Sequence, residues 1–257
     1  MMACRSTTTR TIATGRVPTE SPRGTDPMLS ILLEDNHCLA IDKPAGLLSQ
    51  GDATGDRSAV EEVRAYLKAT YEKPGNVYVG LVHRLDRPTS GVLLFAKTSK
   101  GAARLSEEFR SGRVTKTYLA VVEGDWPEES GEWEDWLVKD ERTNVVSTVP
   151  ASSPGAQRAN LAYRVIRRRA GRLDLELKPT TGRGHQLRVQ LASRGLPIVG
   201  DRKYGARSSL TALDGLSRIA LHAQELRFKH PTRPDHLTIV APIPGDWPAS
   251  GGSGGVR

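Results

Sequence analysis

Leu81-Val-His-Arg-Leu-Asp-Arg-Pro-Thr-Ser-Gly-Val-Leu-Leu-Phe-Ala-Lys97 sets charged residues between two apolar runs. The runs, residues 77–82 and 91–96, have the composition of buried strands. Between them stand His83, Arg84, Asp86 and Arg87, one carboxylate among cations. Loops held by a rigid scaffold are where chemistry is most often carried. An aspartate in such a loop also caps turns, so the loop alone gives Asp86 no role.

Working outward, the chain reads mostly as strands with a few helices. Residues 30–42 form two short strands joined at Asp35-Asn36, and Lys43-Pro-Ala-Gly46 is a turn. Residues 58–71 read as a helix with Val60, Val63, Ala65 and Leu67 available for burial. Residues 99–112 read as a second helix capped by Ser99, with Ala102, Leu105 and Phe109 at helical spacing. Residues 117–122 are a strand, and Leu173, Leu175 and Leu177 alternate with charged residues as in a half-buried one. A short helix spans 185–193, stopped by Gly195. Residues 125–160, rich in Glu, Trp and Ser, resist assignment. Strands not regularly separated by helices predict an α+β fold, a mixed and mainly antiparallel sheet with flanking helices.

Residues 1–27 are rich in Ser, Thr, Arg and Pro without apolar periodicity and read as a disordered tail; their composition resembles a transit peptide, but the missing amphipathic face favours an upstream extension with Met28 as the real start. Residues 249–257 read as a flexible Gly/Ser tail, which leaves 28–248 as a single domain.

The formal net charge of +8 points to a polyanion such as nucleic acid. Cys4 and Cys38 make no C-x-x-C pair, so neither a zinc knuckle nor a disulfide framework is expected, which suits the cytoplasm. No run reaches the ~20 apolar residues of a membrane span. No phosphate loop or dinucleotide fingerprint is present, and no G-x-S-x-G elbow surrounds Ser90, which removes the case for a serine hydrolase.

Separated motifs then line up. Lys43-Pro-Ala-Gly46 comes first, then His83-Arg-Leu-Asp86 with Thr89-Ser-Gly91, then Lys116-Thr-Tyr118. Thr181-Gly-Arg-Gly-His-Gln-Leu-Arg188 follows, with Gly195-Leu-Pro-Ile-Val-Gly-Asp201 and Tyr204-Gly205 after it. In this order, over residues 29–246, the chain resembles the RluA family of RNA pseudouridine synthases. The resemblance implies isomerisation of a uridine within structured RNA, ribosomal first and transfer RNA second, with no cofactor and no metal. The N1–C1′ bond breaks, the uracil turns, and C5 bonds to C1′. Asp86 matches the family's catalytic aspartate, acting as nucleophile on the sugar or base at C2′. A carboxylate in a closed pocket drifts toward its neutral form unless a guanidinium opposes the drift. Arg188 matches the arginine expected to do so, with Arg183 as the alternative.

Tyr118 matches the tyrosine that stacks on the base and assists proton loss from C5. Arg84 is the candidate to enter the space left by an extruded uridine, since unstacking costs a few kcal/mol. Arg87, His83, Lys43, Arg183, His185 and Lys116 complete the expected RNA contacts, the histidines chiefly as loop braces. Many relatives carry an S4 RNA-binding domain ahead of the catalytic one. The 27 unpatterned residues leave no room for it here, so a monomer is expected whose catalytic domain, loops or basic tail choose the target.

Overall fold

The computed structural model describes residues 9–12, 29–211, 215 and 218–248. In chain order the strands are β1 (Thr9–Ile12), β2 (Ser30–Glu34), β3 (Cys38–Lys43), β4 (Gly80–Leu81), β5 (Ser90–Ala96) and β6 (Thr115–Glu123). They continue with β7 (Ser130–Asp140), β8 (Val145–Val149), β9 (Gln157–Arg169), β10 (Arg172–Pro179), β11 (Leu221–Lys229) and β12 (His236–Val240). Helices α1 (Ala59–Thr70), α2 (Ser99–Arg110) and α3 (Gln186–Ala192) and a 3₁₀ turn (Arg202–Tyr204) complete the set. The strands join one sheet in the order β2-β3-β5-β11-β6-β10-β9-β7-β8, with β4 on β5 and β12 on β11. The pairings are antiparallel except β5 with β11 and β1 with β12. The fold is α+β.

Every residue of β5 is buried, because helices cover both of its faces. Val92, Leu94 and Ala96 join Leu105 of α2, while Leu93 and Phe95 join Val63 and Leu67 of α1. α1 starts where Ser58 forms a capping box: its hydroxyl accepts from Glu61 N and the Glu61 carboxylate accepts from Ser58 N. It buries Ala59, Val63 and Leu67, one turn apart, and leaves Ala65 exposed. α2 is capped by Thr98, not Ser99, because the Thr98 hydroxyl accepts from Gly101 N at 3.1 Å.

Three expectations change on the structure. The run 77–82 contributes only a two-residue strand, Gly80–Leu81, which pairs with Ala96 and Phe95 at the end of β5. The unreadable stretch 125–160 is an antiparallel arm, with β7 paired to both β8 and β9. Within the stretch 1–27, expected to be unstructured, residues 9–12 form a strand parallel to β12; residues 1–8, 13–28 and 249–257 lie outside the described residues.

The β5–β11 contact needs a glycine. Gly91 has φ of 113°, and a Cβ there would sit 2.2 Å from the carbonyl oxygen of Ala223 and 2.7 Å from its nitrogen. Backbone cannot move aside as a side-chain tip does, and the left-handed conformation adds strain. Gly91→Ala is therefore expected to destabilise the fold by about 3–5 kcal/mol, read as the shift of the urea unfolding midpoint.

Candidate active site

Strand register builds the floor of the site. Lys43 lies opposite Gly91, Gly91 opposite Ala223, and Ala223 opposite Tyr118. Paired residues share a face of a sheet, so two small residues separate a lysine from a tyrosine in one row. The loop carrying Asp86 folds over this row, with Leu85 and Ala223 in one buried cluster against which Tyr118 packs.

Both neighbours of Asp86 are locked. The Ser49 hydroxyl donates to the carbonyl of Leu85 at 2.7 Å and accepts from its nitrogen at 3.0 Å. The Arg87 carbonyl accepts from Gly46 N at 2.8 Å and from Lys43 Nζ at 3.2 Å. Lys43 Nζ also donates to the carbonyls of Pro44 and Leu47, at 2.9 and 2.8 Å. Three carbonyls use its three donors. Lys43 is fully buried, and burial pulls its pKa down to about 7 although Asp86 and Asp42 oppose the shift. Lys43, expected from the sequence among the RNA contacts, is a buried post beneath the Asp86 loop.

Arg188 projects from α3, a helix buried along residues 186–191. Its Nη1 lies 3.2 Å from Asp86 Oδ2. Its other edge is held by Asp201, with Nε to Oδ2 at 2.7 Å and Nη2 to Oδ1 at 2.8 Å. That fork is bidentate and orients the guanidinium. Burial alone would lower the pKa of Arg188, but the Asp201 and then the Asp86 carboxylate raise it above the ordinary arginine value. The guanidinium also lies 4.9 Å over the ring of Tyr204. The Tyr204 hydroxyl accepts from Val146 N at 3.0 Å and shares a 2.8 Å hydrogen bond with His185 Nδ1. His185 itself takes a left-handed conformation at the start of α3. Asp201 and Tyr204 received no role from the sequence; the signal available was their place just after the α3 helix in Val199-Gly-Asp-Arg-Lys-Tyr204.

Tyr118 is partly buried, and burial, with Asp86 second, raises its phenol well above the ordinary value. His83 braces its loop: its Nε2 accepts from Leu94 N at 2.9 Å and its ring stacks on Phe109 at 4.6 Å. Lys116 is half-buried, donates to the carbonyl of Thr181 at 2.7 Å, and has its pKa pulled down to about 8 by burial. Arg183 is exposed, with Nε on the carbonyl of Arg158 rather than on Asp86. Arg87 is exposed and pairs with Asp56 at 2.8 Å. Arg84 is exposed and has no hydrogen-bond or ion-pair partner among the described residues.

One further cluster lies away from this site. Asp35, Cys38 and His230 place donor atoms within 4.8 Å of one another. His230 Nδ1 accepts from the backbone nitrogens of Thr232 and Arg233, so its proton sits on Nε2 and points to Asp35 Oδ2 at 2.8 Å. A metal would need that nitrogen bare. The cluster is a clasp between the β2–β3 turn and the β11–β12 hairpin.

The buried histidines give the fold an acid limit. Burial holds His83 at about 3 and His222 at about 4, below the usual 6.5. Below pH 6.5 the unfolded chain binds protons that these folded histidines refuse, so their stability is complete above that pH and is lost as pH falls toward 4. Between pH 7 and 5 each is expected to cost roughly 2 kcal/mol. Melting temperature measured across that range checks the sign; a flat profile would contradict it.

The family model described as RNA pseudouridylate synthase matches residues 37–193. Ribosomal large subunit pseudouridine synthase C of Vibrio vulnificus (strain CMCP6) is 35% identical over 215 residues, 83% of this chain and 65% of that protein. The uncharacterised RNA pseudouridine synthase YhcT of Bacillus subtilis (strain 168) is 37% identical over 221 residues, 85% of this chain and 70% of that protein. The solved structure of Human RNA Pseudouridylate Synthase Domain Containing 4 superposes with a TM-score of 0.69 at 26% identity, over 85% of this chain and 90% of that one. The chain thus spans a little under two thirds of the Vibrio relative's length.

Proposed function

Because the chain belongs to the RNA pseudouridylate synthase family, we propose that it isomerises uridine to pseudouridine within structured RNA, with ribosomal RNA as the first candidate and transfer RNA as the second. The observation that carries this reading is Asp86 paired with buried Arg188 beside Tyr118. The Asp86 oxygen that does not face Arg188 is without a hydrogen-bond partner among the described residues. That oxygen is available to a ribose, at C1′ as nucleophile or at C2′ as base. The N1–C1′ bond then breaks, the uracil rotates, and C5 bonds to C1′.

Tyr118 offers its ring to the turning base. Its phenol is held protonated, so the hydroxyl serves as a relay, taking the C5 proton only as it gives up its own. Arg84, exposed and unpartnered, is the residue to fill the space an extruded uridine leaves in a stem. Arg87 and Arg183 are exposed cations suited to phosphate, and His185 and Lys116 are the further candidate RNA contacts. The name of the Vibrio relative favours a ribosomal target. Asp86, Tyr118 and Arg188 come from one chain, so a monomer with a catalytic domain over 28–248 suffices, and an RNA substrate of this kind puts it in the cytoplasm. Among the described residues no helix is long and apolar enough to cross a membrane.

Tritium release from RNA labelled with [5-³H]uridine is the direct test. Wild type is expected to release label and Asp86→Asn to lose it by at least about three orders of magnitude; binding without release in wild type would overturn the reading. Tyr118→Phe is expected to bind RNA as tightly as wild type and to lose most turnover, by about 100-fold or more. Unchanged turnover would remove the hydroxyl from the mechanism.

A further inference from the structure

Arg218 is only 1% exposed, yet its side chain reaches none of the catalytic groups described above. Its guanidinium pairs with Asp246 and lies 5.7 Å over the ring of Trp247. Its Nε and Nη2 have no hydrogen-bond partner among the described residues. A buried guanidinium is costly unless paired, so the C-terminal residues Asp246 and Trp247 are what hold it in place. The Trp247 ring also meets His222 edge-on at 6.0 Å, and His222 Nδ1 shares a 2.9 Å hydrogen bond with the hydroxyl of Ser90.

The backbone beside Arg218 touches both loops that supply Arg188 with carboxylates. Ile219 N donates to the carbonyl of Pro88, two residues after Asp86, at 3.3 Å. Ala220 N donates to the carbonyl of Val199 at 2.8 Å, two residues before Asp201. The Arg218 carbonyl approaches Gly200 so closely that a Cβ there would sit 2.6 Å from it. One short segment, residues 218–220, therefore touches both the Asp201 loop and the Asp86 loop, adding to the bonds that Ser49, Gly46 and Lys43 make to the latter, and Arg218 ties that segment to Asp246 and Trp247.

We infer that Arg218, clamped by Asp246 and Trp247, is a positioning residue that holds Asp86 and Asp201 in register on Arg188. The inference rests on the proposed activity for its kinetic consequence and on geometry alone for its structural one. Misplacing a reacting group by about 1 Å costs up to roughly 100-fold in rate while leaving substrate binding intact. Among the described residues Arg218 and Trp247 share no hydrogen bond, ion pair or ring contact with Arg84 or Arg183, so loss of the clamp should be felt in kcat and not in KM.

The test uses the full chain and a large-subunit ribosomal RNA transcript labelled with [5-³H]uridine, at a temperature where circular dichroism shows each variant folded. Trp247→Ala is expected to lower kcat by about 10-fold to 100-fold with KM within about twofold. Trp247→Phe keeps a ring against Arg218 and His222 and should recover most of that loss. Native hydrogen exchange should rise in residues 86–91 and 199–203 of Trp247→Ala and stay as in wild type in β9 and β10. Unchanged kcat, or a fall that follows the unfolded fraction with no local rise in exchange, overturns the clamp. A wild type that releases no tritium sinks the activity instead, and the exchange pattern alone then decides whether the clamp exists.

Discussion

One guanidinium joins two carboxylates from distant loops, and the geometry of the site depends on how it divides itself between them. Arg188 gives its bidentate edge, Nε and Nη2, to Asp201, and only Nη1 to Asp86. Asp201 is 2% exposed and Asp86 is open at its side chain by 30%. The buried carboxylate thus balances the buried cation and sets its plane, which is the part of an ion pair that burial makes expensive to break. Asp86 is held by one oxygen. A fork given to Asp86 would have occupied both of its oxygens and left none to meet a ribose.

That division explains what was legible in the sequence and what was not. The Asp86 loop stood out because charge interrupted two apolar runs, and its family-like motifs named Arg188 as partner. β5, α1 and α2 were legible because local period decides elements that bury one stripe or a whole strand. The arm of β7, β8 and β9 was not, because the alternation of Ala159, Leu161, Tyr163 and Val165 with their more exposed neighbours falls mostly beyond residue 160, while β7 buries only Trp133 and Leu137 among charged residues and owes its strand character to pairing across the arm. Asp201 was missed for a related reason. A buried aspartate differs from a turn aspartate only by its partner, and the partner lies 13 positions away in sequence. That Lys43 is buried was not legible either, because lysines are rarely buried. Its position at the end of an apolar strand, before Pro44 and Gly46, was the hint that loop carbonyls would gather around it.

The site also depends on a single parallel pairing in an otherwise antiparallel neighbourhood. β5 and β11 run side by side at Ser90–His222 and Gly91–Ala223. Parallel strands must be joined by a long crossover, so the start of β5 and the start of β11 are brought together from far apart in the chain. The Asp86 loop enters just before β5, and residues 218–220 enter just before β11. The two segments meet through Ile219 and Pro88 because both arrive at the same end of the same pair. A purely antiparallel arrangement would have sent one of them to the opposite edge.

The polar groups around this floor then separate by burial. Lys43, His83 and His222 lie within or below the sheet, and burial drives each toward its neutral form. Each is engaged by hydrogen bonds to backbone or to Ser90, so each supports a loop without adding a mobile charge near Asp86. The exposed cations, Arg84, Arg87 and Arg183, stand outside the floor in water, where charge costs little to maintain. Had the buried lysine exchanged places with an exposed arginine, the Asp86 loop would lose its three-carbonyl post. Cations sorted by depth therefore differ in what they do: buried Lys43 fastens backbone beside Asp86, while the exposed arginines stay hydrated at the surface.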